Sequence, residues 1–108
     1  MTQQQIDELV FKKIMRPDWK PEDGIPLYSS SITYAMEVWK RLRDSGEFCC
    51  LNIYSDYMYC WKISINKAMN DENDSHEPFV SLDGIEGGLD GLAWGICMAA
   101  LKAYGVAD

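Results

Sequence analysis

Between residues 48 and 65 the chain repeats its apolar side chains every second position. Phe48, Cys50, Asn52 and Tyr54 alternate with Cys49, Leu51 and Ile53. Beyond Ser55-Asp56, Tyr57, Tyr59, Trp61, Ile63 and Ile65 alternate with Met58, Cys60, Lys62 and Ser64. Successive side chains of a strand leave opposite faces of the pleat, so two such runs around a short turn predict an antiparallel hairpin. The second run has one apolar face and one mixed face, and Met58 and Cys60 on the mixed face ask for partial cover by a second layer.

The segments on either side follow a helical period. Thr2 followed by Gln5 is a capping-box pattern, and Ile6, Leu9, Val10 and Ile14 fall on one face of a helix over 3–14. Lys12, Lys13 and Arg16 suit its negative C-terminal end, Pro17 ends it, and 16–27 reads as an ordered connector whose Trp19 packs back on the core. Ser29, Ser30 and Ser31 offer N-caps to a second helix whose stripe is Ile32, Ala35, Met36, Trp39 and Leu42. Gly46 supplies its left-handed stop. After an acidic loop at 66–77, Pro78 opens a short candidate strand, Phe79 to Leu82. A last helix runs from Asp90 or Gly91 to Tyr104, with Leu92, Ile96, Ala99, Ala100 and Ala103 on one face and Gly105 as its stop. Gly95, Ala99 and Ala100 let it approach a sheet or another helix closely. The expected fold is α+β, a small and mostly antiparallel sheet with helices on both faces, in a single domain spanning 1–108.

At 108 residues there is room for one domain and one real core. Hydrophobic residues at 47% and charged residues at 25% are ordinary for a globular chain. The net charge of −7 argues against nonspecific binding to duplex nucleic acid, which needs clustered Lys and Arg. Seven of the ten basic residues lie in 1–54, so the second half is the strongly acidic one. The opening MTQQQIDELV is too polar for a secretory signal, and no apolar run reaches the roughly 18 residues of a membrane span. A cytoplasmic protein away from the membrane is expected.

Little in the sequence points to catalysis or to a metal. Cys49, Cys50, Cys60 and Cys97 make no CxxC, and His76 is the single histidine, so a zinc site lacks its usual spacing. Adjacent Cys49 and Cys50 on a regular strand point to opposite faces and do not share a site. Asp71, Asn73 and Ser75 imitate the start of a calcium loop, but His76 stands where glycine is needed and Leu82 where glutamate is. A Cys97–His76 pair has no orienting third group in view. The expectation is no metal, no cofactor and no enzyme activity.

Binding candidates are easier to name. Tyr28, Ser29, Ser30 and Ser31 combine hydroxyls, backbone amides and an aromatic ring at a helix start, without adjacent acids, and form the best anion-binding candidate; simple N-capping explains the serines as well. Arg41 and Arg43 are the basic side chains assigned to the same pocket. The glycine-rich stretch 83–88 precedes a helix, but it carries Asp83 and Glu86 and no lysine. Tyr54, Tyr57, Tyr59, Trp61 and Trp39 cluster about the hairpin, suited either to the core or to a contact surface, and Tyr57 and Trp61 are included among the ligand-binding candidates.

Three segments, IDELVFKKIM, YSSSITYAMEVWKRL and AWGICMAALKAYG, together resemble the phage ABA sandwich domain, a family of small bacteriophage and prophage proteins. The resemblance spans most of the chain and is weakest over 66–83. Lys13-Ile14-Met15-Arg16 stands where the family has a Val-Met-Gly-like stretch, and Gly95 where it has alanine. It implies an α/β/α sandwich and a phage origin, and it brings no catalytic residues. The leading functional expectation, set beside that origin, is a non-enzymatic accessory protein in the host cytoplasm, acting against host defence as a homo-oligomeric sponge for a small nucleotide-type immune signal. The alternative is a protein-interaction module that blocks a host protein with its acidic surface or aromatic hairpin.

Overall fold

The computed structural model describes residues 2–15, 24–55, 60–67 and 79–105. The expected stop at Pro17, the packing of Trp19, the Tyr57 and Tyr59 positions and the loop around His76 lie outside the described residues.

Helix α1 spans Gln3–Leu9 and continues as a π-helical stretch, Val10–Met15. Its start is the expected capping box: the Gln5 amide donates to Thr2 Oγ1 at 3.2 Å, and the Thr2 amide donates to Gln5 Oε1 at 2.8 Å. The wider π turn changes the buried face. Phe11 joins Ile6, Val10 and Ile14 in the core, and Leu9 is left half-buried.

Helix α2 spans Ile32–Asp44 and ends at Gly46, whose φ of +81° is left-handed as expected. It buries Ala35, Val38 and Leu42, whereas Met36 is 41% exposed and Trp39 is half-buried. The buried stripe is therefore turned toward Val38 relative to the expected one. Ser31 occupies the N-cap position, but its side chain makes no capping hydrogen bond.

The sheet is antiparallel in the order β1 (Phe48–Ser55), β2 (Trp61–Lys67), β3 (Val80–Ile85). Two bulges interrupt it. Trp61 faces Ile85 but Ile63 faces Leu82, so β3 holds one extra residue, and Gly84 absorbs it with φ +69°. On β1, Phe48 faces Lys67 and Cys50 faces Asn66, leaving Cys49 as the inserted residue.

Helix α3, Leu89–Ala103, is the organising element. Nearly every side chain from Leu92 to Leu101 is buried, because α3 packs on α2, α1, the π stretch, β2 and β3 together. Its backbone comes so near the sheet at Gly95 that a Cβ there would run into Ile63 Cδ1 and lie 2.7 Å from Ile85 Cδ1. Gly105, φ +78°, ends the helix.

The α+β class and the antiparallel sheet are as expected. Among the described residues, α3 covers the face built by Ile63, Ile65, Val80 and Ile85, α2 touches β1, and α1 with its π stretch packs on α2 and α3 without reaching the sheet. The other face, by the pairing register, carries Cys50, Asn52, Tyr54, Lys62, Ser64, Asn66, Ser81 and Asp83. Those residues are polar in the main, and they include an Asn52–Asn66 hydrogen bond of 2.9 Å and an exposed Lys62–Asp83 pair at 3.7 Å. Ser64 at the centre of this face is nonetheless buried, at 6% exposed, while Lys62, Tyr54 and Asp83 toward its edges are open to water.

Candidate functional site

The stretch before α2 is where the sequence placed an anion site, and each of its amides already has a partner. Tyr28 N–H donates to the Pro26 carbonyl at 2.9 Å, and Ser30 and Ser31 N–H both donate to the Leu27 carbonyl, at 3.3 and 3.1 Å. Ser29 N–H donates to Asp7 Oδ1 on α1 at 2.8 Å, and Ser29 Oγ reaches the Gln3 carbonyl at 3.4 Å. Ser29 is fully buried and Asp7 is 5% exposed. These bonds tie the chain entering α2 to α1, and they bring a carboxylate into the space assigned to a phosphate. Sequence reasoning missed Asp7, whose only local signal is an acid among the polar positions of a helix.

Tyr28 points inward. Its ring meets Tyr34 edge-on at 6.2 Å, and it is 4% exposed. Burial, and then the neighbouring Cys97 and Asp7, push the phenol up from its ordinary value. Burial likewise pushes the Cys97 thiol up, so it is held as a protonated, apolar-like core group and is far from an activated thiolate.

The open space beside this junction is a cleft of about 600 Å³ lined by Gln3, Gln4, Asp7, Glu8, Leu27 and Ser30 among others. Two carboxylates and two carboxamides give it an acidic, hydrogen-bonding wall. Such a wall repels a phosphate rather than holding one.

Arg41 and Arg43 are exposed near the opposite end of α2. Ten residues separate Ser31 from Arg41, about 15 Å of helix, so one subunit does not bring the two groups into a common pocket. Arg41 borders a smaller recess of about 230 Å³ with Ile14, Asp44, Ser45 and Tyr104. Arg43, two residues further, leaves the helix on a different side.

Trp61 is half-buried, and its indole N–H is used. It donates to the carbonyls of Gly87 and Gly88 at 3.0 and 3.2 Å, fastening the start of β2 to the turn before α3. In the first turn of α3, Gly91 lies against the Glu86 carbonyl oxygen, with no room for a Cβ. Tyr57 lies outside the described residues. Of the eight binding candidates, then, Tyr28 and Ser29 are core and junction residues, Ser30 borders an acidic cleft, Ser31 is the uncapping N-cap position, and Trp61 is a fastening.

Among the described residues, no strand pairs with the outer edge of β1. β1 is an edge strand of eight residues, with no charge and no proline. Tyr54 on it is 57% exposed and Ile53 36% exposed. Exposed edges of natural sheets are commonly blunted by lysine or proline, and β1 carries neither. Among the described residues there is no group of three or more His, Cys, Asp and Glu placed to hold a metal ion, and no helix long and apolar enough to cross a membrane. No known protein family, no curated protein and no solved structure matches the chain.

Proposed function

We propose that this chain is a non-enzymatic binding protein that engages a protein partner through β1 and the adjoining open sheet face. The observation that carries the reading is the uncharged, proline-free edge strand with Tyr54 and Ile53 exposed on it. An edge of this kind offers a row of backbone donors and acceptors to an extended segment of another chain, with side-chain contacts adding selectivity. A net charge of −7 favours a partner whose matching surface is basic. The setting we propose, a phage or prophage protein acting on a bacterial host, rests on the likeness of the three segments to the phage ABA sandwich family. A nucleotide sponge, the other reading, needs a pocket built between copies, since a single chain keeps its serine amides engaged and its Arg41 and Arg43 about 15 and about 18 Å away along α2.

The test compares the protein with Ile53→Lys and Tyr54→Lys variants in capture from a bacterial lysate, alongside a thermal-shift panel of cyclic and linear nucleotides. The expected result is one partner retained by the parent protein and lost from both variants, whose melting temperatures stay within a few degrees of it. A nucleotide that stabilises the parent would overturn the reading. At ~100 times its dissociation constant a ligand adds about 2.7 kcal/mol, several degrees for a domain of this size.

A further inference from the structure

The bulge on β1 brings together two groups that a regular strand would separate. Cys49 is the inserted residue, its Sγ lies 3.6 Å from Cys50 Sγ, and it also sits 3.3 Å from the Lys67 carbonyl oxygen. Both side chains are exposed at the sheet edge, and no disulfide joins the four cysteines of the chain. The hydrogen bond between the two thiols is the main cause that holds Cys49 above its ordinary value.

We infer that Cys49 and Cys50 form a bidentate dithiol site for a trivalent, three-coordinate thiophilic centre that brings its own third substituent, the class to which organic arsenic(III) compounds belong. The bite selects this class. With bonds to sulfur of about 2.3 Å, a 3.6 Å separation corresponds to an angle near 100° at the bound centre. A linear two-coordinate ion would need its sulfurs ~4.6 Å apart at the same bond length. A tetrahedral structural ion would need two further protein ligands, and none is grouped with this pair among the described residues. The reaction is a condensation without redox change. Each thiol gives up its proton, two arsenic–sulfur bonds form, the arsenic–oxygen bond of the arsenoxide breaks, and the oxygen leaves as water. Arsenic is trivalent throughout.

The experiment is titration of the reduced full-length protein with phenylarsine oxide, read by intact mass and by thiol count. One equivalent should add a single phenylarsenic group and remove two titratable thiols, with fragment masses placing the adduct on 49–50. Excess ethanedithiol should reverse it, and excess glutathione should not. Cys49→Ser and Cys50→Ser should each weaken retention by roughly 100-fold or more, the loss expected when a second, tethered contact is removed. Cys60→Ser should bind as the parent does. Retention of the adduct by either Cys49→Ser or Cys50→Ser, or its placement on Cys60 or Cys97, would overturn the inference. All three replaced thiols lie outside the fully buried core, and a melting curve on each variant confirms that the readout is taken on folded protein.

Discussion

A Cβ added to Gly95 would meet Ile63 Cδ1 and Ile85 Cδ1, the terminal methyls of two buried side chains. Two effects then compete. Alanine improves a helix interior by about 1 kcal/mol over glycine, while overpacking a core costs about 1–3 kcal/mol. Gly95→Ala should therefore destabilise the parent protein by about 1 kcal/mol. In an Ile63→Val, Ile85→Val background both obstructing methyls are gone, and the same change should become neutral or stabilising. Urea unfolding of the four-member cycle checks this, and a loss of equal size in both backgrounds would refute the packing argument. Cys97 makes a second prediction at this scale. Its thiol, ordinarily near 9.0, is raised in the folded protein, and so is the Tyr28 phenol, ordinarily near 10.0. Below pH 9 both groups are protonated folded and unfolded alike, and their contribution is fully present. As pH climbs past 9 the unfolded chain loses the Cys97 proton first while the folded chain keeps it, so stability falls, by up to about 1.4 kcal/mol per pH unit for one such group. Tyr28 adds its share above 10. Cys97→Ala should flatten the fall between pH 9 and 10, measured by denaturant midpoints at each pH, and leave only the Tyr28 share of the fall above 10.

At the level of elements, the contacts that matter join pieces distant in sequence. Asp7 accepts from the Ser29 amide across 22 residues, inside the protein. Removing the acceptor strands a buried donor, which costs about 1–3 kcal/mol. Asp7→Ala should show that loss in urea, and Asp7→Asn should recover most of it because its amide oxygen can accept the same bond. Equal losses for the two variants would mean that charge, and not the hydrogen bond, holds the junction. This contact also marks the boundary of what could be read from sequence. The Thr2–Gln5 box, the Gly46 and Gly105 stops and the extent of β1 follow from chemistry within a few residues, and they were legible. The Asp7–Ser29 bond, the indole of Trp61 on the Gly87 and Gly88 carbonyls, and the choice of Val38 over Met36 for burial depend on which element lies opposite. No local pattern carries that information. The same holds for Cys49 and Cys50: alternation separates them, and the register mismatch with β2 that reunites them exists only once the strands pair. At the candidate site, Ser29, read from sequence as part of an open helix start, is tied to α1 by partners that no local pattern announces.

For the whole molecule the governing quantity is charge. The chain carries −7, and residues 55–108 hold nine acids against three bases. Self-repulsion of this kind works against the compact state, and the ion pair Lys62–Asp83 is exposed at both ends and so worth little. Raising ionic strength shortens the reach of exposed charges from about 10 Å at 0.1 M to about 3 Å at 1 M. If repulsion outweighs pairing, sodium chloride should raise the melting temperature at pH 7 by a few degrees between 0.05 and roughly 0.5 M. The same screening should slow capture of a basic partner, since attraction over the acidic surface is what speeds the encounter. The two responses have opposite signs in one salt series, which separates them from any general effect of salt on the protein. A melting temperature that falls with salt would show that favourable charge pairs dominate, and the acidic surface would then need a structural explanation in place of a binding one.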